Sequence, residues 1–436
     1  MWGIVLLYAG SLTFFAIKAL RNRIRVWKDA AVACGLEVME ANPGLNPQLK
    51  ARSRGMEVRI RPSGERGRSL IAVNASGPPD LHQVRIRPQA MNKFKHEIEI
   101  GDALFDGDFA IEGPVSLVSA LLDEETRRLM SGIQGRLDLS LSELRVTVSD
   151  ENVSRVLPPF LDLCQRLTEP LDVPRRLAEN ARQDPVPGVR LHNLLVLLHE
   201  LPDHPVTAEA LRAARSDRSP GVRLRVAREL GAEGRGILRE LAEDQEDDAV
   251  SAEAVATLGR ELPFERATAI LKRALSRRRL RTARACLRTI GRSRAAGAVG
   301  LLAKVMEREH GELAPIAAQA LGTTGSPAAE PPLIQALQRD QADLRVAAAN
   351  ELGSIGSASA VLPLKEAAER SRHDAELRRA TRQAIAEIQS RVQGGSPGQL
   401  SLAGAEAGQL SLAEAEAGQL SLATDQAGQL SLGDDE

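Results

Sequence analysis

Asp343-Leu344-Arg345-Val346-Ala347-Ala348-Ala349-Asn350-Glu351-Leu352-Gly353-Ser354-Ile355-Gly356 is an apolar-periodic run that ends in two glycines three residues apart. Its apolar residues recur at helical spacing and so share one helix face. The Leu352-Gly353 pair is the fifth of its kind, after Leu230-Gly231, Leu258-Gly259, Ile290-Gly291 and Leu321-Gly322. Successive glycines are 28, 32, 31 and 31 residues apart, the period of a stacked helical hairpin. Four residues before each leucine or isoleucine stands a small or apolar residue: Val226, Ala254, Cys286, Ala317 or Ala348. One hairpin cannot bury its apolar face alone, so neighbours must stack into a superhelix with a long groove for partners. Reading outward from these anchors predicts an α-solenoid over 184–392. It starts with an atypical unit, Val189 to Arg215, and closes with a helix from Ala375 to Val392. Gly325 and Gly356 are expected to form the turns inside their hairpins.

These phrases resemble HEAT repeats, particularly the short bacterial kind also found in bilin lyases. The resemblance extends over nearly half the chain and implies a fold of HEAT-like helical hairpins. That fold hosts scaffolds, lyases and a class of DNA glycosylases, so the resemblance alone implies no one activity.

Met1 to Ile17 carries no charge, and Lys18, Arg21, Arg23, Arg25 and Lys28 follow at once. Seventeen residues is close to the lower limit for a spanning helix. The positive charges lie after the apolar run instead of before it, and no good cleavage site follows, so an uncleaved anchor over 1–20 fits better than a signal peptide. The charge rule then puts the bulk of the chain in the cytoplasm. The expectation is a single-pass protein of the bacterial inner membrane.

Behind the anchor, 21–170 reads as a smaller α+β domain. A helix from Val26 is expected to stop at Gly35. Strands are predicted at Leu36 to Met39, Met56 to Ile60, Leu70 to Asn74, Val84 to Arg87, Glu97 to Ile100, Leu137 to Leu141 and Leu144 to Val148. Helices are predicted at Val115 to Met130 and Val153 to Leu167. The run Gly101-Asp102-Ala103-Leu104-Phe105-Asp106-Gly107-Asp108-Phe109 is similar to a G-D-x-x-F-D-x-x-F pattern of uncharacterised bacterial domains behind a single anchor. Its aspartates read as turn formers and Phe105 and Phe109 as core, because the glycine and distal glutamate of a calcium loop are out of register.

The 57 basic and 58 acidic residues leave a net charge of −1, so bulk charge selects no polyanion. Ten aromatics occur, and after Phe160 only Phe264, which argues against base stacking or a flat cofactor in the repeats. Cys34, Cys164 and Cys286 are odd in number and far apart, against a disulfide framework or a zinc knuckle. Cys286 falls in the small-residue slot of the repeat and reads as buried. His192, His199, Asp203 and His204 form a local cluster of metal-ligand types, but Pro202 breaks the helix and the last two histidines are five residues apart. No nucleophile elbow, phosphate loop or CxxC pair occurs, so no catalytic, metal or cofactor residues are assigned.

Two elements remain. Lys272 to Arg294 holds ten basic residues and no acid. On a helix, Arg277, Arg281, Arg284 and Arg288 form a stripe beside a core stripe of Leu280, Ala283, Leu287 and Ile290, suited to the phosphates of lipid or nucleic acid. Alternatively the stripe is solvated, or pairs with the acids between Glu240 and Asp248. The tail, 393–436, has seven acids and no base, and repeats Gly-Gln-Leu-Ser-Leu four times at a spacing of ten. Its composition predicts disorder. Leu400, Leu402, Leu410, Leu412, Leu420, Leu422, Leu430 and Leu432 are its candidate contact residues, paired on one face of an extended segment as in strand addition.

The function expected from the sequence is a membrane-tethered, non-enzymatic scaffold that binds protein partners, with neither nucleic acid nor a small-molecule substrate as its ligand. The alternatives are a HEAT-like enzyme acting on a tetrapyrrole or damaged DNA, and an anionic lipid or nucleic-acid binder using the arginine stripe.

Overall fold

The structure, a computed structural model, describes residues 18–393 apart from 19, 43–45, 54, 75–81, 90–96, 141–142, 245 and 372. The apolar run Met1 to Ile17 and the four tail motifs lie outside the described residues. Among the described residues no helix is long and apolar enough to cross a membrane. The chain divides into two compact units, 1–237 and 238–436, so the division falls within the predicted solenoid.

The first unit begins with helix α1 (20–33), whose chain turns at Gly35 with φ +69° as expected. An eight-stranded sheet follows, built from β1 (Glu37–Asn42), β2 (Gln48–Ser53), β3 (Met56–Pro62), β4 (Arg68–Asn74), β5 (Arg85–Pro88), β6 (Phe109–Glu112), β7 (Arg136–Ser140) and β8 (Glu143–Ser149). The strand order is β1-β2-β3-β4-β8-β7-β5-β6, and all the pairings are antiparallel. Alternation sets the faces: Met56, Val58 and Ile60 of β3 and Leu144, Val146 and Val148 of β8 are buried, while the residues between them are not. α1 and α5 (Val153–Thr168) contribute Trp27 and Phe160 to the same core, both fully buried. Trp27 Nε1 donates to Ser69 Oγ at 2.9 Å, and Ser69 Oγ donates to Asp150 at 2.6 Å.

Three expectations for this domain are corrected. Glu97 to Ile100 is not a strand, although Ile98 N donates to Ile111 O at 2.9 Å. β2 and β6 were not predicted, because Gln-Leu-Lys-Ala-Arg-Ser has only two apolar positions and β6 continues an aspartate-rich run. The helix expected from Val115 to Met130 is two helices, α3 (Val115–Leu121) and α4 (Glu124–Gly132). Asp123 separates them by capping α4, its Oδ1 accepting from Thr126 N at 2.9 Å.

The G-D-x-x-F-D-x-x-F run forms the short helix α2 (Ala103–Asp108) and leads into β6. Phe105 is buried and its ring centroid lies 4.8 Å from that of Phe109. Asp102 caps α2 and accepts from Arg127 Nε at 3.0 Å. Asp106 accepts from the backbone of Ile100 and Gly101, each at 3.0 Å, and burial raises its carboxyl above the ordinary range. Arg127, 5% exposed, also holds Asp184 through two hydrogen bonds of 2.9 and 3.0 Å. The motif therefore ties the sheet domain to α6 (Val173–Gln183) and α7 (Pro187–Glu200), the next helices of the same unit. α8 (Pro205–Ala214) and α9 (Pro220–Glu229) complete the helices wholly inside it, while α10 (Arg235–Asp244) spans the division.

The second unit holds α11 (Asp248–Leu258), α12 (Phe264–Ser276), α13 (Leu280–Arg292), α14 (Ala298–Arg308), α15 (Leu313–Thr323), α16 (Glu330–Ala336), α17 (Ala342–Ile355), α18 (Val361–Arg370) and α19 (Ala375–Gln393). The odd-numbered helices pack each on the next, and the intervening helices lean against them. The small-residue slot is where they touch: Ala254, Cys286, Ala317 and Ala348 are fully buried, as are Ile290, Leu321 and Leu352. Cys286 accordingly has its thiol pushed up to about 12 by burial.

The repeated glycine does two different jobs. Gly231 and Gly259 have φ of +54° and +50° and end their helices. Gly291, Gly322 and Gly353 lie inside helices and permit close approach instead, against Ala320, Glu351 and Ala384 respectively. The expected hairpin turn appears at Gly325, with φ +64°. Gly356 has φ −66°, and its lack of a side chain makes room for the Leu352 carbonyl instead.

Candidate functional site

In the second unit a groove of about 420 Å³ lies between α11 and α13. One wall is small: Ala249, Ala252 and Ala256 of α11, with Glu253 among them. The other carries Arg281, Arg284, Arg288 and Arg292 around Ala285. Helical spacing accounts for both walls, since positions three and four apart share a face. Small side chains on α11 leave a shelf beside which the longer guanidinium stems stand.

The four-arginine stripe expected from the sequence is thus shifted. Arg277 is not on α13; it caps the end of α12, and the next residue, Arg278, has φ +55°, which breaks the helical phase. Arg281, Arg284 and Arg288 do share a face, and Arg292 is the fourth member. Leu280, expected in the core stripe, is 43% exposed, while Ala283, Leu287 and Ile290 are fully buried.

Local contacts fix the start of this wall. Asp248, the first residue of α11, accepts from Arg281 N at 3.0 Å and from Thr282 N and Oγ1 at 2.9 and 2.8 Å. It thereby caps the helix of the next repeat. Burial works against its charge, but these hydrogen bonds hold its carboxyl below the usual range. Internal contacts take three arginines outside the groove: Arg266 bonds Glu243 at 3.2 Å, Arg273 donates to the Glu243 carbonyl at 2.6 Å and Arg277 to the Asp244 carbonyl at 3.5 Å. Within the groove Arg284 pairs with Glu312, the residue just before α15, and its Nε is buried without a hydrogen-bond partner among the described residues. The side chains of Arg281, Arg288 and Arg292 make no hydrogen bond or ion pair among the described residues, and all three are exposed. Both halves of the solvated-or-paired alternative are present: Arg281, Arg288 and Arg292 are exposed, and Arg284 is paired. The groove carries three exposed guanidiniums without ion-pair partners beside a wall of small side chains that holds one carboxylate, Glu253, leaving an excess of positive charge that attracts anionic groups.

The Arg284–Glu312 pair belongs to a series that sequence reading missed. Arg190 grips Asp217 at 2.7 and 2.8 Å, and Arg345 reaches Asp374 at 3.7 Å. In each case an arginine early in one helix meets an acid before or at the start of the equivalent helix one repeat later. The signal was an arginine followed by an acid 27 to 29 residues on.

Two histidines of the cluster have separate partners. His192 shares a 2.8 Å hydrogen bond with Ser119 Oγ, and burial lowers its pKa. His204 caps α8 through Nδ1. No group of three metal-capable side chains occurs among the described residues. The eight tail leucines lie outside them.

The family model for HEAT repeats matches residues 300–386, from within α14 to within α19. No curated protein matches the chain. Human deoxyhypusine hydroxylase in complex with glycerol is similar at 17% identity, covering 50% of this chain and 96% of its own, with a TM-score of 0.22. An engineered protein is similar at 21% identity, covering 50% of this chain and 90% of its own, with a TM-score of 0.20.

Proposed function

We propose that this chain is a scaffold whose HEAT repeats hold a protein partner, tethered through Met1 to Ile17 to the inner membrane of a bacterium with its bulk in the cytoplasm. The observation that carries the reading is the α11–α13 groove, where Arg281, Arg288 and Arg292 stand without internal partners beside Ala249, Ala252 and Ala256. Such a surface favours an anionic peptide segment with small apolar side chains, which would sit on the shelf while its carboxylates meet the guanidiniums. No catalytic step belongs to this reading. The tether rests on the charge asymmetry around Lys18.

The test is crosslinked capture from bacterial membranes with the full chain and with Arg288→Glu/Arg292→Glu. Partner recovery is expected to collapse in the variant, whereas equal recovery rejects the groove as the binding surface. A reporter active only in the periplasm, fused after Glu436, is expected to be silent; activity there reverses the orientation.

The same arginines favour a second reading, binding of anionic lipid headgroups. Co-sedimentation with phosphatidylglycerol vesicles that is lost in the double variant would support it over a protein partner.

A further inference from the structure

We propose that the groove between α11 and α13 is occupied in the unliganded protein by this chain's own acidic tail, with Glu414 and Glu416 on Arg288 and Arg292. The inference rests on the reading of that groove as a docking surface, and it names the occupant that an external partner must displace.

Charge complementarity is the first ground. The tail beyond Gln393 holds seven acids and no base, so the remainder of the chain is net positive by six charges. Among the described residues, the side chains of Arg281, Arg288 and Arg292 make no hydrogen bond or ion pair, and Glu253 is the one carboxylate lining the groove beside them.

Spacing is the second. Arg288 and Arg292 are four residues apart on one helix, so they emerge about 6 Å from each other. Carboxylates two residues apart on an extended segment lie on one side about 7 Å apart. Glu414-Ala415-Glu416 has that spacing, and Leu410 and Leu412 just before it supply apolar side chains for the alanine shelf; Asp434 and Glu436 share the spacing but lie twenty residues farther from α19, where the longer connecting chain lowers their effective concentration at the groove.

The exit point is the third. Arg391, near the end of α19, donates to the carbonyls of Gly353 and, at 2.8 Å, Gly356. It pins the end of α19 to the end of α17. Gly353, Gly322 and Gly291 mark the same ends of α17, α15 and α13, so the tail departs from the edge of the stack on which Arg292 lies. Three helix spacings of 8–10 Å separate α19 from α13, roughly 30 Å in all. The 20 residues from Gly394 to Ala413 span up to about 70 Å when extended, more than enough to bring Glu414 there. Attachment also raises the effective concentration of the tail at the groove above that of a free acidic peptide.

The test uses the full chain with Ala415→p-benzoylphenylalanine, irradiated at low salt and mapped by mass spectrometry. Crosslinks are expected within 249–256 and 281–292, independent of protein concentration. They should fall at least tenfold at 1 M salt and in Arg288→Gln/Arg292→Gln. Glu414→Gln/Glu416→Gln, which leaves the folded repeats untouched, should abolish them as well. In parallel, a fluorescein-labelled hexaglutamate peptide is titrated against the full chain and against that tail variant. Tighter binding to the tail variant, lost on adding the arginine substitutions, is the expected result. Hexaglutamate binding at the arginines without groove crosslinks overturns the tail as occupant and leaves the docking surface standing. Neither crosslinks nor hexaglutamate binding overturns both. Crosslinks that rise with protein concentration overturn the intramolecular contact in favour of a second copy's tail.

Discussion

Gly291 and Ala320 bring α13 and α15 into backbone contact: a β-carbon at position 291 would stand 2.6 Å from the carbonyl oxygen of Ala320. Backbone cannot retreat as a flexible side chain can, so Gly291→Ala must push the two repeats apart. The expected loss is about 1–3 kcal/mol. Gly300, inside α14, has open space where a methyl group would stand, with nothing within 4 Å, and Gly300→Ala is expected to stabilise by about 0.5–1 kcal/mol. Urea melts of the two variants check the contrast; a Gly291→Ala protein as stable as the parent would refute the close-approach account.

Glu351 lies against Gly322, and burial pushes its carboxyl up to about 7 from an ordinary 4.5. The folded state therefore holds a proton that the unfolded state releases. Its contribution is fully present below about pH 4.5 and is lost as pH rises through about 7. Glu351→Gln is expected to flatten that decline, so the variant gains on the parent between pH 5 and pH 7.5. Stability measured at both pH values decides, and parallel profiles would sink the assignment.

Arg190 is 1% exposed and grips Asp217 through two hydrogen bonds. Burial opposes the Asp217 charge, but Arg190 and Ser219 N hold its carboxyl below the usual range. Its contribution is thus present above the unfolded pKa and lost as pH falls through the lowered folded one. Asp217→Leu leaves a buried guanidinium unpaired and is expected to cost about 3–5 kcal/mol. Arg190→Met added to it is expected to recover part of that loss, which a double-mutant cycle on thermal melts measures.

Leu321 and Leu352 are fully buried at the repeat contact. Replacing either by aspartate is expected to cost several kcal/mol. Neighbouring repeats should loosen too, since each draws its stability from the interface with the next. Hydrogen exchange along α13 to α19 reads this out; protection lost only in the mutated helix would contradict interface-borne stability.

Much of the fold was legible because hairpin period and apolar face are local properties of the chain. Leu321, Leu352 and Cys286 were placed in the core from register alone, and all three are fully buried. Less of the sheet was legible. β2 has Leu49 and Ala51 as its only apolar residues, and it becomes a strand because β1 and β3 flank it on both edges. The candidate site was half legible: three of its arginines follow helical spacing, but Arg277 was assigned across a break that a single positive φ at Arg278 creates.

The sequence by itself determined the repeat register, the small-residue slots and the asymmetry of charge between repeats and tail, because each is a matter of spacing and composition along the chain. Only the tertiary structure decided which residue each position meets. It made Gly231 and Gly259 helix ends and Gly291 and Gly353 contact points, although all four share one register. It set Arg127 on Asp184 and Arg190 on Asp217, and left Arg288 and Arg292 facing an alanine shelf. The physical reason is that a partner one repeat away is chosen by how closely two helices approach, and that distance depends on every side chain packed between them.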